Sequence, residues 1–391
     1  MSARLKKLVF KQRALVALLL LGAASAARAA GPAAQTDCVG YYTLEVPGQV
    51  EYAVHQPNPV FAHPNTSPTD PVERSVFQDR QYPGFADGLV VWDAGVSATS
   101  ETTKAELEIL AKWRISEAEK TKNELLRDVQ RMDDRPFQKK QFIEDAAAIR
   151  FYKPFNEGTV YAVESGEEVS MLALIGNRIV DTTRRKVGTA QQTIDALLKT
   201  RRPRAPFEIP AEPGACLAYG FITTGVKPVD VAVSIRLKDR PDIVINLRDQ
   251  PVDTSEEAPA SAEAFINKAV YPGREFYASE LTAPLDGKLR SFRKVVIDGR
   301  EGVGAFALVT RKVLPGRDAV HNEANKNRDW AYIAYVPGDK TAPPGTSSDI
   351  TFRVERFGRF AKQPMTEKEF RELVKSVAAS IKRRPGAWKQ S

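Results

Sequence analysis

Apolar and polar positions alternate, or β-branched residues cluster, in "YYTLEV" (41–46), "VEYAV" (50–54), "GLVVWD" (88–93), "AAAIRFY" (146–152), "GTVYAVE" (158–164), "VSMLALIG" (169–176) and "RIVDTT" (178–183). That period of two predicts strands. Between the third and fourth runs, "TKAELEILAKWRISEAEKTKNELLRDVQRMDD" changes to a helical period, with Leu107, Ala111, Ile115, Ala118, Leu125, Val129 and Met132 on one stripe. Thr103 followed by Glu106 supplies a capping box at its start. One such helix in a strand-rich chain is expected to cover a sheet rather than to form a coiled coil. A second helix is predicted in "GTAQQTIDALLKTRRP", opened by Thr189 and Gln192 and stopped by Pro203.

Residues 203–213, "PRAPFEIPAEP", carry four prolines and neither period, which marks a domain boundary. Beyond it the pattern resumes. "CLAYGFI", "VDVAVSIRLK", "DIVINLRD", "SFRKVVID", "GVGAFALVTRK", "DWAYIAYV" and "DITFRVERFG" read as strands, and "SAEAFINKAV" as a short helix. "TEKEFRELVKSVAASIKRRPG" closes the chain as a helix with Phe370, Leu373, Val374, Val377, Ala378 and Ile381 on one face, behind a Thr366–Glu369 capping box. The two halves share landmarks: Cys38 to Thr189 spans 151 residues and Cys216 to Thr366 spans 150, although the spacings inside them do not match. The expected fold class is α+β: two similar mixed α/β domains, each an antiparallel-rich sheet with covering helices and a C-terminal helix. The expected division is residues 1–29 as a signal peptide, 30–203 and 214–391 as domains, and 204–213 as a Pro-rich linker.

The first 29 residues carry that targeting expectation. "MSARLKKLVFKQR" is basic, "ALVALLLLGAASA" is apolar and too short to span a bilayer, and "ARA" at 27–29 offers a cleavage site before Ala30, with "ASA" at 24–26 as a second. Export to a periplasm, with no stable membrane anchor after cleavage, is the expected outcome. It also changes the charge argument. The chain has 57 Lys plus Arg against 49 Asp plus Glu, but six of the basic residues lie in the leader, so the mature balance falls from +8 to +2. Nothing in that balance favours nucleic acid as a partner. The clusters Arg201, Arg202, Arg204 and Lys382, Arg383, Arg384 follow predicted helices and read as cations at helix C-termini.

Candidate chemistry is thin. Cys38 and Cys216 are the only cysteines of a chain expected in an oxidising compartment. Either they form a disulfide between the opening strands of the two halves, or each fills an equivalent corner of its own core. His55, His63 and His321 are the only histidines and lack ligand partners at metal-site spacing, so no metal is expected. Gly302-x-Gly304-x-x-Ala307 imitates a dinucleotide fingerprint but lies in a strand pattern, which favours a glycine-bearing hairpin and no cofactor. No G-x-S-x-G elbow occurs, and Glu167–Glu168 and Glu256–Glu257 are adjacent in sequence rather than paired across a site.

Three stretches carry a family resemblance: "CVGYYTLEVPGQVEY" (38–52), "FEIPAEPGACLAYGFITTG" (207–225) and "VAVSIRLKDRPDIVI" (231–245). They resemble the type VI secretion lipase-immunity family, the Tli proteins that neutralise class-four phospholipase effectors. The resemblance implies two α/β domains arranged like a claw, a cognate lipase effector as partner, and no catalytic residues. On that reading the long loops supply contact residues: Phe61 and His63 from 55–72, and Arg317, His321 and Trp330 from "RKVLPGRDAVHNEANKNRDW". Trp330 reads equally as a core residue at the start of a strand. The competing function is a periplasmic ligand-binding or envelope-interaction protein without enzymatic activity.

Overall fold

The computed structural model describes residues 33–55, 75–76, 95–101, 103–132, 135–155, 158–223, 230–254, 261–270, 280–284, 292–311, 329–343 and 346–387. The chain opens with β1 (Ala34–Val39), β2 (Tyr42–Pro47), β3 (Val50–Tyr52), β4 (Val54–His55), β5 (Ser75–Val76) and β6 (Gly95–Glu101). Helices α1 (Lys104–Arg131) and α2 (Pro136–Ala148) follow, then β7 (Arg150–Phe155), β8 (Val160–Ser165), β9 (Glu168–Ile175), β10 (Arg178–Arg185) and α3 (Ala190–Lys199). Three short strands, β11 (Arg201–Pro203), β12 (Ala215–Cys216) and β13 (Gly220–Ile222), lead into β14 (Val231–Leu237), β15 (Ile243–Pro251) and α4 (Ala262–Val270). The last part holds β16 (Glu280–Pro284), β17 (Arg293–Ile297), β18 (Arg300–Arg311), β19 (Asp329–Val336), β20 (Ser348–Arg356), α5 (Glu367–Ser380) and β21 (Lys382–Arg383).

The fold is α+β, built mainly from antiparallel sheets. A seven-stranded sheet has the order β5-β4-β6-β10-β9-β8-β7, with β4 and β6 its parallel pair. An eight-stranded sheet runs β16-β18-β19-β20-β15-β14-β3, with β17 paired to β18. Two small sheets complete the fold: β11-β13-β12 falls between them in chain order, and β1-β2-β21 joins the two ends of the described chain.

Strand alternation decides which helix covers which face. Val169, Met171 and Ala173 of β9 pack against Ile194 and Leu197 of α3, while Leu172 points the other way, to Leu107, Leu110 and Ala111 at the start of α1. In the larger sheet Val233, Ile245, Phe352 and Ala334 share a core with Phe370, Val374, Val377 and Ile381 of α5. The opposite face of β18 and β19 carries Ala305, Ala307, Ile333 and Tyr335, which pack on Ile266 of α4. All three expected capping boxes form, at Thr103, Thr189 and Thr366.

Several expectations need correction. "AAAIRFY" is not a strand throughout: Ala146–Ala148 end α2, because "PFQKKQFIEDAAA" combines Pro at the first helical turn with strong helix formers. "CLAYGFI" divides into two short strands around a turn. The glycine pattern at 302–307 lies, as expected, in a hairpin strand, and the hairpin's two-residue turn, Asp298–Gly299, has positive φ at both positions. "GLVVWD" and Glu256–Glu257 lie outside the described residues.

Residues 203–213 do not separate the sheets as a boundary would. β3, from the first half of the sequence, pairs with β14, and β2 pairs with β21 at the far end of the chain. Val39, Tyr42, Leu44, Val46, Val50 and Tyr52 belong to the core of the second sheet. The Pro-rich segment is itself tied down: Arg384 donates to the carbonyls of Pro210, Glu212 and Gly214.

Candidate functional site

The sequence stretches that attract notice converge at one joint. Cys38 in β1 and Cys216 in β12 form a disulfide with their Cα atoms 5.7 Å apart, across 178 residues of sequence. Beside it, Gly40 and Cys216 exchange both backbone hydrogen bonds at 2.8 Å. Gly40 has φ +57°, and a Cβ there would lie 2.4 Å from Oδ2 of Asp249, so the approach requires glycine.

Asp37 is buried beneath this bridge and accepts from three directions. Arg204 Nη1 donates to Oδ1 at 2.7 Å, the Cys38 amide donates to the same oxygen at 2.8 Å, and the Tyr52 hydroxyl donates to Oδ2. Arg204 also donates through Nε and Nη2 to the Leu217 carbonyl, at 3.1 and 2.7 Å. Burial and the adjacent Asp37 carboxylate push the Tyr52 phenol well above its usual range, so it stays a neutral donor.

A second polar cluster lies one layer away. Asp249 is fully buried and accepts from the Tyr41 amide at 2.8 Å. Tyr42 and Ser348 share a hydroxyl contact at 2.9 Å, and Arg300 Nη2 donates to Tyr42 at 3.0 Å. Burial raises the Asp249 carboxyl to about 7, against the opposing pull of the Ser348 hydroxyl, the Tyr41 amide and the Arg383 and Arg300 charges.

A shallow groove runs alongside the joint, lined by Arg178, Val180, Arg201, Arg202, Leu217 and Tyr219 among others. The Arg178 guanidinium carbon sits 3.4 Å from the centre of the Tyr219 ring, which meets Tyr52 edge-on at 4.9 Å. Arg202 on the rim is held by Glu208 and Glu212 at 2.7 and 2.6 Å. The basic cluster at 201–204 therefore divides in function. Arg201 reaches back to the Leu197 carbonyl at the end of α3, as a helix-terminal cation does, whereas Arg202 and Arg204 serve the joint. Among the described residues, no three His, Cys, Asp or Glu side chains converge as a metal site would require.

No protein-family model matches the sequence, and no curated protein matches it. Among solved structures, the chain is similar to the immunity protein TplEi of the type VI secretion system of Pseudomonas aeruginosa in complex with "L" peptide. Identity there is 16%, the TM-score 0.47, and the likeness covers 90% of this chain and 98% of that one. It is also similar to a chain of the Tle4–Tli4 complex, at 15% identity and TM-score 0.45, over 90% of this chain and 98% of that one. A third likeness, to PsbP of the cyanobacterium Synechocystis, has 12% identity and TM-score 0.21 over 60% of this chain and 92% of that one.

The sequence candidates fare unequally. Cys38 and Cys216 meet. Phe61, His63, Arg317 and His321 lie outside the described residues. Trp330 takes the core reading rather than the contact one: it opens β19 at 7% exposure, with Phe370 at 5.6 Å and the Arg356 guanidinium 4.9 Å from its ring. The pattern of apolar positions did not single out Arg178 or Tyr219, because their contact depends on how β10 meets the segment between β12 and β13. No helix among the described residues is long and apolar enough to cross a membrane.

Proposed function

We propose that this chain is a periplasmic immunity protein that binds a cognate type VI secretion phospholipase effector and blocks it sterically, protecting the cell from lipid hydrolysis. It acts by binding rather than turnover and needs no cofactor. One observation carries the reading. Of the stretches that resemble the lipase-immunity family, 38–52 is far in sequence from 207–225 and 231–245 yet adjacent to both in space: Gly40 bonds Cys216, and Tyr52 lies opposite Ile235 in the β3–β14 pair. A resemblance gathered into one contiguous structural unit supports a shared architecture better than the same residues scattered would. The Cys38–Cys216 bond supports export, since disulfides persist in oxidising compartments. On this reading Phe61, His63, Arg317 and His321 remain candidate contacts to the effector.

The test is co-expression in the periplasm with the proposed cognate lipase effector. Cells carrying both survive, and cells carrying the lipase alone lyse. Lysis that continues at full expression of this protein overturns the reading. Removal of residues 1–29 abolishes protection while the purified protein still binds the lipase; protection by that cytosolic form would contradict the periplasmic assignment.

A further inference from the structure

The chain leaves α5 in extended conformation at Ile381, which is buried in the core of the large sheet. In the segment that follows, Lys382–Ala387, Arg384 and Ala387 are buried, while Lys382, Pro385 and Gly386 are exposed. Pro385 and Gly386 form the middle of a turn closed by the Ala387 amide, which donates to the Arg384 carbonyl at 3.1 Å. Gly386 has φ +72°, as the third position of a type II turn requires.

This short segment bonds to parts of the chain that are far apart in sequence. Arg383 and Lys382 pair with Tyr42 and Thr43 of β2, and the Arg384 amide donates to the Tyr41 carbonyl at 2.8 Å. The Arg384 guanidinium donates to the carbonyls of Pro210, of Glu212 at 3.0 Å and of Gly214 at 2.5 Å. The Gly214 amide in turn donates to the Ala387 carbonyl at 3.0 Å. At the turn between β17 and β18, Asp298 accepts from the Arg383 amide at 2.9 Å. Arg383 Nη1 donates to the Thr346 carbonyl at 2.8 Å. The arginines after α5 therefore serve distant segments rather than the end of that helix.

All these bonds need the same few residues to be ordered. Once one contact fixes the segment, the others close with little further loss of chain entropy, so they form and break together. Ala387 is the only buried apolar side chain in Lys382–Ala387, whereas the two large sheets are each held by an extensive apolar core. A unit that rests on backbone bonds and little apolar burial opens at lower cost than such sheets. Every partner also precedes the segment in the chain, so these contacts wait for it during synthesis.

We propose that Lys382–Ala387 is a closing strap, which docks and releases as one unit about Ile381, independently of the two large sheets. Docked, it ties β2, the Pro-rich segment and the β17–β18 turn to one another. Released, it frees the carbonyls of Tyr41, Pro210, Glu212 and Gly214, and the joint loosens while the Cys38–Cys216 bond still holds it. The device does not depend on what the protein binds.

Residue-resolved native-state hydrogen exchange on the oxidised protein tests it, through a series of urea concentrations below unfolding. The amides of Arg383, Arg384 and Gly214 have acceptors on Asp298, Tyr41 and Ala387. They exchange through one common opening with one urea dependence, at least about tenfold faster than Ile245 of β15 and Met171 of β9. Arg384→Lys keeps the charge but loses the planar fork. It speeds that common opening about ten- to a hundredfold and leaves Ile245 and Met171 unchanged. Exchange of the three amides with unrelated urea dependences would make the contacts separate local bonds and overturn the proposal. Exchange only together with Ile245 and Met171 would make the segment part of the global fold, and would overturn it equally. So would acceleration at Gly214 alone in Arg384→Lys, which would reduce Arg384 to a local pin. If that variant does not fold, the exchange of the parent decides.

Discussion

Arg204 and Asp37 form an ion pair with both side chains at 0% exposure, across 167 residues of sequence. The pair is compensated on every side, since Asp37 also accepts from Tyr52 and the Cys38 amide, and Arg204 also serves the Leu217 and Ala218 carbonyls. Breaking it leaves a charge stranded in the core. Arg204→Ala is expected to cost on the order of 3–5 kcal/mol in denaturant unfolding. Replacing both partners with apolar residues, Arg204→Met with Asp37→Leu, costs less than either single change. A double variant as unstable as the sum of the singles would show that the pair contributes little beyond its separate hydrogen bonds.

The Cys38–Cys216 bond closes a loop that holds the whole seven-stranded sheet. Such a bond restricts the unfolded chain, and its removal is expected to cost about 2–5 kcal/mol. Cys38→Ser with Cys216→Ser, or reduction of the parent, lowers the unfolding midpoint accordingly. Thiol titration of the unreduced, denatured protein returns no free cysteine. Two free thiols from the oxidised protein would remove the bond from the account.

Local order was legible in the sequence, and the joint was not. The capping boxes at Thr103, Thr189 and Thr366, the strand at 329–336 and the hairpin turn at Asp298–Gly299 follow from short-range rules, because caps and periodicity depend on neighbours a few residues away. The pairing of β3 with β14 and of β2 with β21 depends on contacts between distant segments that no local pattern encodes. The Pro-rich stretch 203–213 shows the difference. Beyond Pro203, which ends β11, it forms neither helix nor strand, yet composition could not show that Arg384 would pin its carbonyls. The two cysteines were visible as a pair, and only the Cα separation decided between a bond and two separate cores.

Asp249 gives the fold a pH dependence of definite sign. Its carboxyl is raised from 3.8 to about 7 by burial, so the folded state holds a proton that the unfolded chain releases. Stability from this group is full below about pH 4 and is lost as pH rises toward 7, on the order of 4 kcal/mol if the group acts alone. Asp249→Asn keeps the shape and removes the titration. Its stability relative to the parent therefore increases from pH 4 to pH 7.5 in parallel urea melts. An unchanged difference across that range would place the ionisation elsewhere.

Trp330 separates a packing role from a binding one. Its ring lies against Phe370 of α5 and beneath Arg356, whose Nε donates to Asp242 at 3.0 Å, so truncation would open a cavity and loosen a buried ion pair. Trp330→Ala is expected to destabilise by about 3–5 kcal/mol. Trp330→Phe keeps most of the volume and should fold with a smaller loss. If the residue serves only the core, then on the proposed immunity function the Phe variant protects cells from the lipase as fully as the parent once expression is matched. A Phe variant that melts like the parent yet fails to protect would instead make Trp330 a contact residue exposed on binding.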